Sequence, residues 1–184
     1  MAIVRLPAAD RTLTDEKEIA AVLARSGVHH ERWDTHPSSL GAGTPEAILD
    51  AYAAPIEALK RRGGHVTADV IDIVPDTPDL DALLARFARE HWHEEDEVRF
   101  VVAGSGLFFI HPASAPVISI ETLPGDLLRV PRGTRHWFHL CPARRIRAIR
   151  LFQDRSGWAP VYTHSGIEQT FAPVCLGGPP AGGS

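Results

Sequence analysis

The 184-residue sequence predicts an α+β fold that is mainly β, with helices first and an antiparallel sandwich or small barrel after them. In residues 1–90, apolar side chains recur at helical spacing behind residues that favour helix starts. From Val98 onward, six short β-rich segments follow one another at about ten-residue spacing, which is typical of antiparallel sheets. A composition of 44% hydrophobic and 23% charged residues fits one globular domain, so we expect the helices to pack outside the sheet.

Three helical segments and one strand are predicted in the first half. Thr14, followed by two acidic residues, favours a helix start, and Thr44, followed by proline and glutamate, favours another. Pro55 should kink or split this second helix. Residues 66–74 alternate as a strand does, and Asp79 should cap a short third helix.

The second half divides into strands at glycine and proline residues. The six predicted strands cover 98–103, 107–111, 117–121, 127–130, 136–140 and 146–152. Gly104-Ser105-Gly106 and Leu123-Pro124-Gly125-Asp126 are expected to be hairpin turns. We therefore expect one domain over 1–175, with a helical lead-in over 1–90, a barrel core over 66–165 and a disordered tail over 176–184.

Composition excludes several classes of partner. A net charge of −4 without a lysine or arginine block argues against nucleic acid. The apolar runs are shorter than the roughly 18 residues of a membrane span, and the first residues lack the apolar core of a signal peptide, so we expect a cytoplasmic protein. Cys141 and Cys175 lack the spacing of a metal or redox motif, and we expect reduced, partly buried thiols.

The stretch His91-Trp92-His93-Glu94-Glu95-Asp96-Glu97 contains the strongest chemical signal. Residues two apart in an extended chain share a face, so His91, His93 and Glu97 can converge on one point. Two imidazoles and a carboxylate are ligands that hold a divalent transition metal and leave open positions. The alternative is a solvated acidic turn with two surface histidines. By parity alone, Glu95 could replace Glu97.

A second element follows downstream, where Gly125-Asp126 opens a strand, Pro131-Arg132-Gly133 turns the chain and His136 precedes Trp137-Phe138. Alone, His136 could be a hydrogen-bonded core histidine. Together with the first element it could complete a metal site inside a barrel.

These two elements, HxHxxxE and Gly-Asp-x4-Pro-x-Gly-x2-His, resemble the two motifs of the cupin superfamily, a small antiparallel β-barrel or jelly-roll that usually holds one metal. Within that superfamily, residues 90–100 with Gly104-Ser105-Gly106 are similar to the acireductone dioxygenase family of methionine salvage. The resemblance spans about residues 66 to 165, with further matches at 130–131, 136–138, 148–152 and 157–158.

The resemblance implies that His91, His93, Glu97 and His136 hold one Fe²⁺ or Ni²⁺ per chain and leave two adjacent positions open. It implies O₂ and an anionic acireductone, 1,2-dihydroxy-3-keto-5-methylthiopentene, as substrates. The family's iron form yields formate and 4-methylthio-2-oxobutanoate, and its nickel form yields formate, CO and 3-methylthiopropionate. We expect a monomer, although the sequence leaves the oligomeric state open.

Four further residues are candidates for substrate contact. Arg99 lies two residues beyond Glu97, so its guanidinium can share that face and stabilise an anionic substrate as a catalytic residue. Arg150 matches a second arginine of the family and could orient the substrate. Phe87 and Phe138 could line the apolar wall for the methylthio group. Surface salt bridges are the alternative for the arginines, and core packing is the alternative for the phenylalanines.

The sequence departs from the family pattern at His139-Leu140-Cys141, where an acid and a Met-Gly pair are common. His139 is three residues from His136 and should face away from the metal, without binding it. The remaining histidines have no partner pattern, and we expect solvated or locally bonded roles for His29, His30, His36, His65, His111 and His164. Another metal-dependent cupin oxygenase and a non-catalytic ligand-binding cupin remain alternatives.

Overall fold

The computed structural model describes residues 1–35, 43–154 and 159–177, in which all strand pairing is antiparallel. Two sheets, of seven and five strands, face each other. In spatial order the larger contains β12 (Val161–Tyr162), β5 (His91–Trp92), β10 (Arg135–Leu140), β7 (Gly106–His111), β8 (Ile118–Thr122), β1 (Ile3–Leu6) and β2 (Arg11–Leu13). The smaller contains β3 (His29–Arg32), β9 (Asp126–Val130), β6 (Glu97–Gly104), β11 (Ile146–Phe152) and β4 (Thr67–Ile73).

The mainly β jelly-roll and all the predicted strands are confirmed, with boundaries that differ by at most one residue. The two predicted hairpins are wrong. Gly104-Ser105-Gly106 joins β6 of the smaller sheet to β7 of the larger one, and residues 123–125 carry the chain from β8 back to β9. The turn chemistry itself is as expected, since Gly104 has φ +75° and the Asp126 N–H donates to the Leu123 carbonyl at 3.0 Å. A tight turn does not specify whether its flanking strands pair with each other.

The helices begin close to the predicted capping residues. Helix α1 (Glu16–Arg25) starts after Asp15, whose carboxylate accepts the Glu18 N–H, so the cap lies one residue beyond Thr14. Thr44 caps α2 (Pro45–Ala51). The second helix is split before Pro55, as expected. Pro55 lies in the first turn of α3 (Ala53–Gly63), where the N–H that proline lacks would have no acceptor within the helix. Helix α4 (Leu80–Phe87) follows Asp79.

The helices bury their apolar faces in two different places. Helices α2 and α3 pack outside the smaller sheet, where Ile48 and Ile56 join Phe100 and Ile149 in one buried cluster. Ile19 and Leu23 of α1 instead belong to the central cluster, with residues that both sheets point inward. The helices therefore pack outside the sheets as predicted, with α1 turning its apolar face toward the sandwich core. No helix in the described ranges is long and apolar enough to cross a membrane.

The segment after β12 covers the outer face of the larger sheet, where Phe171 packs on Phe109 and Trp137. A disulfide joins Cys141 to Cys175, so the prediction of reduced thiols is wrong here: the fold brings two cysteines 34 residues apart within 5.7 Å at their Cα atoms. The N–H groups of residues 176 and 177, at the start of the predicted tail, donate to the buried Glu121 carboxylate. Residues 178–184, the family match at 157–158 and His36 lie outside the described residues.

Candidate metal centre

Three predicted histidines meet between the two sheets. His91 on β5 and His136 on β10 are register partners, and their ring centroids are 4.5 Å apart. His93 follows β5 directly, with its ring 4.9 Å from His91 and 5.1 Å from His136. One ligand atom from each imidazole lies within 4.8 Å of the others, and all three side chains are buried.

Backbone carbonyls fix the orientation of each ring. The Nδ1 atoms lie 2.7 Å from the Arg89 oxygen for His91, 3.0 Å from the Ala159 oxygen for His93 and 2.8 Å from the Thr134 oxygen for His136. Since a carbonyl oxygen only accepts, each Nδ1 carries a proton and donates it. A ring that is neutral then has its Nε2 lone pair free for a metal, the arrangement typical of metal-binding histidines, whereas without metal the Nε2 atoms of His93 and His136 face the Glu97 carboxylate.

Glu97 joins this cluster from the other sheet. Its Oε2 atom lies 3.0 Å from His136 Nε2 and 3.3 Å from His93 Nε2, and its Oε1 accepts a 2.8 Å hydrogen bond from Arg99. The donor set of three imidazoles and one carboxylate therefore fits a divalent transition-metal ion. Glu95, the alternative by parity, does not serve here, because its carboxylate accepts the N–H groups of residues 153 and 154.

His91 and Glu97 converge, but not through the strand parity on which the prediction rested. His91 belongs to the larger sheet and Glu97 begins β6 in the smaller one, so the chain between them is not a single extended strand. The two side chains converge because both sheets face the same interior. Parity does hold within β6, where Glu97 and Arg99 project to the same side.

The charges of the cluster are strongly coupled. Burial raises the pKa of Glu97, but the Arg99 guanidinium and the hydrogen bonds from His136 and His93 outweigh it and hold that pKa well below its usual range. Burial and the neighbouring His136 lower the pKa of His91 to about 4. Burial also lowers the pKa of His93, but its hydrogen bond to Glu97 and the charge of Glu97 reverse the effect and raise it. An ionised carboxylate and a neutral His91 are the forms that bind metal.

The two predicted arginines are register partners on β6 and β11. Arg99 is 8% exposed, and its guanidinium lies 4.8 Å from the ring centre of Phe138. Arg150 donates two hydrogen bonds, of 2.8 and 2.6 Å, to Asp69 on the neighbouring strand β4. Arg99 therefore faces the histidine cluster, whereas Arg150 is paired with a carboxylate that the sequence did not single out.

Phe87 and Phe138, the two candidates for an apolar wall, both lie in the central core. The Phe87 ring lies 5.8 Å from that of His91, in an edge-to-face arrangement. Phe138 is 5% exposed and belongs to the central core, as does Phe87. Both rings thus face the interior that contains the histidines.

Glu90 is a residue of this region that sequence reasoning missed. It is 1% exposed, and its carboxylate accepts hydrogen bonds from Thr163 at 2.5 Å and Ser165 at 2.6 Å and contacts His111 Nδ1 at 2.5 Å. Burial raises the pKa of Glu90, and these hydrogen bonds lower it overall. Glu90 therefore ties the strand of His91 to the C-terminal segment. Its neighbour His91 was the only local signal, since the partners are 21 to 75 residues away.

The other histidines follow the expectation in part. His139 faces away from His136 as predicted, with its ring 6.1 Å from that of Phe109 on the outer face. His30 hydrogen-bonds Asp126 at 2.9 Å. His65 is 4% exposed, so it is not solvated.

Comparison with known proteins assigns a family. The model of the ARD/ARD′ family matches residues 13–160. The acireductone dioxygenase of Xanthomonas axonopodis pv. citri is 43% identical over 157 residues, which are 85% of this chain and 83% of that protein. That of Exiguobacterium sibiricum is 39% identical over 176 residues, 91% of this chain and 98% of its own. The solved acireductone dioxygenase of Bacillus anthracis, with a cadmium ion in its active centre, matches with a TM-score of 0.81 and 35% identity over 88% of this chain and 98% of that one. The chain therefore belongs to the ARD/ARD′ family.

Proposed function

We propose that this chain is a metal-dependent acireductone dioxygenase that reacts 1,2-dihydroxy-3-keto-5-methylthiopentene with O₂. The observation that carries the proposal is the convergence of three imidazoles, oriented by backbone carbonyls, with one carboxylate, in a chain about 40% identical to acireductone dioxygenases. With Fe²⁺ the products would be formate and 4-methylthio-2-oxobutanoate. With Ni²⁺ they would be formate, CO and 3-methylthiopropionate.

In this proposal His91, His93, His136 and Glu97 hold the metal. A bound divalent ion supplies Lewis acidity and a chelation point for two oxygens of an anionic substrate. Glu97 carries its negative charge throughout, because its lowered pKa makes it a ligand and a poor proton acceptor. The carbonyl bonds to the Nδ1 atoms keep each ring turned toward the same point.

Arg99 is the proposed catalytic residue, placed to stabilise the substrate anion. A guanidinium has five N–H groups, so its bond to Glu97 is compatible with donation to a substrate oxygen. Burial strengthens that interaction, because little water competes for either charge. Arg150, positioned by Asp69, adds positive charge beside Arg99 and is proposed to orient the substrate. Phe87 and Phe138 would receive the methylthio group.

The test is anaerobic reconstitution of metal-free protein with Fe²⁺ or Ni²⁺, followed by acireductone and O₂. We expect loss of substrate that depends on O₂ and the product set of the metal used. The matched pair is His136→Ala and His139→Ala, because the two histidines lie on the same strand and face opposite sides. Only the first should lose metal and activity. No consumption by the wild-type protein with either metal, or stoichiometric metal in His136→Ala, would refute the proposal.

We also propose that the chain is a cytoplasmic monomer without nucleic-acid or membrane partners. The net charge of −4 and the small-molecule substrate support it. The Cys141–Cys175 disulfide is the observation against this compartment, since cytosolic thiols are generally kept reduced. Alkylation of free thiols in intact cells decides the matter: protection of both cysteines would place the chain in an oxidising compartment.

A further inference from the structure

A groove of about 640 Å³ lies on the face of the larger sheet opposite the metal centre. Its floor is formed by Phe109 and Val117 and its rim by residues of the C-terminal segment, including Ile167, Phe171 and Val174. Along β7, Phe108 and Ile110 point into the central core, so Phe109 and His111 point outward. The volume is within the range of small-molecule sites, and the walls are mainly apolar.

Arg5 brings positive charge to this groove. Its neighbour Val4 is fully buried in the core, and strand alternation directs Arg5 to the outer face. Among residues 1–35, 43–154 and 159–177, no carboxylate forms an ion pair or hydrogen bond with Arg5. Arg11, on the adjacent strand β2, is by contrast paired with Glu18 at 2.6 Å. The groove thus combines apolar walls with a guanidinium that the described structure leaves without a counter-ion.

The other polar groups lining the groove fit the same class of ligand. Ser119 is 3% exposed as a residue and lies on the floor, where its hydroxyl can donate to an oxygen atom. His111 is already engaged on both sides, with its Nδ1 2.5 Å from the Glu90 carboxylate and its Nε2 3.4 Å from the Arg135 guanidinium. Within the described ranges, Arg5 is the arginine that lines the groove itself.

We propose that this groove binds a small organic carboxylate with an apolar body. Its carboxylate would accept hydrogen bonds from Arg5 and Ser119, and its body would lie between Phe109 and Phe171. One guanidinium against apolar walls matches a monoanion better than a phosphate, which carries more charge and has no surface for these walls to cover. The site lies outside the sandwich and uses none of the proposed metal ligands, so the proposal is independent of the dioxygenase function.

Hexanoate is a suitable probe, titrated calorimetrically into the full chain with its metal content unchanged. We expect saturable binding, with affinity at least tenfold lower for hexanamide, which lacks the charge, and for acetate, which lacks the apolar body. Arg5→Gln should weaken binding at least tenfold. The control Arg11→Gln, on the same β-hairpin, should bind as the wild type does. Equal affinity for hexanamide, or unchanged binding in Arg5→Gln, would overturn the proposal.

Two further variants keep the test decisive. Ala172→Trp fills the rim while retaining Arg5, so it should abolish binding even if Arg5→Gln proves unstable, and unchanged affinity would overturn the proposal. His136→Ala removes a proposed metal ligand on the opposite face and should leave hexanoate binding unchanged. Loss of binding in His136→Ala would place the probe at the metal centre. Self-association that Ala172→Trp abolishes, without hexanoate binding, would assign the groove to a second copy of the chain. Either result overturns the proposal.

Discussion

Replacing Arg99 by methionine tests how Glu97 stays ionised inside the sandwich. Both residues are buried, 8% and 4% exposed, and they share a 2.8 Å hydrogen bond. Removing one partner of a buried pair costs about 3–5 kcal/mol, because the remaining charge loses its compensation. The loss of repulsion between Arg99 and Arg150 offsets part of this cost. We therefore expect the metal-free variant to be less stable by about 3 kcal/mol, or about 6–12 °C in Tm.

The change in Tm is measured by thermal unfolding, monitored by circular dichroism, with and without metal. Methionine preserves most of the contact with Phe138 while removing the charge, so the loss reports on electrostatics. A bound divalent cation would compensate Glu97 in place of Arg99, so metal should raise the Tm of Arg99→Met more than that of the wild type. The control is Arg11→Met. The side chains of the Arg11–Glu18 pair are 56% and 49% exposed, so the pair should contribute no more than about 0.5 kcal/mol to stability. A metal-free Arg99→Met variant as stable as the wild type would refute the reasoning.

Three other perturbations have defined outcomes. In metal-free protein the raised pKa of His93 stabilises the fold below the ordinary histidine pKa, and this contribution is lost as pH rises through the raised value. The lowered pKa of Glu97 stabilises the fold above its ordinary value and the contribution is lost as pH falls. In EDTA-treated protein, the stability of the wild type relative to His93→Asn should therefore fall as pH rises above the ordinary histidine pKa, and the same pH dependence in both proteins would contradict the assignment. Reduction of the Cys141–Cys175 disulfide, which closes a loop of 34 residues, should cost up to about 3–4 kcal/mol. Unfolding with and without a reductant checks this, and a Cys175→Ser variant should not respond to it. Glu90→Gln should lower stability by about 1–3 kcal/mol, since its amide accepts fewer of the three hydrogen bonds, and a metal titration should show about tenfold weaker binding. Unchanged stability and affinity would mean that the C-terminal segment is held by other contacts.

Much of the fold could be predicted because local chemistry and packing agree. β-Branched and aromatic runs between glycine and proline marked the central strands, and Thr44 with Pro45 marked a helix start. The hairpins failed because turn residues such as Gly104 specify a change of direction and not a pairing partner. The strands β1 to β3 carry weak patterns of their own, and their hydrogen bonds depend on pairing of β1 with β8, of β2 with β1 and of β3 with β9.

The candidate site, like the fold, could be predicted from the sequence only in part. His91, His93, Glu97 and His136 were recognisable as ligand types in two spaced motifs, and Arg99 followed from its place on the strand of Glu97. The partners that fix these groups came from elsewhere: the Ala159 carbonyl for His93 and Asp69 for Arg150. Their contacts span 66 and 81 residues, and no local pattern marks them.

By itself, the sequence determined the fold class, the strand segments and the identity of the metal-ligand candidates, because hydrophobic periodicity and residue chemistry are local properties. Only the tertiary structure decided that His91 and Glu97 come from different sheets, that Cys141 and Cys175 are joined, and that Arg5 lines an apolar groove. Each of these depends on strand register and sheet packing, which are set by burial over the whole chain rather than by neighbouring residues.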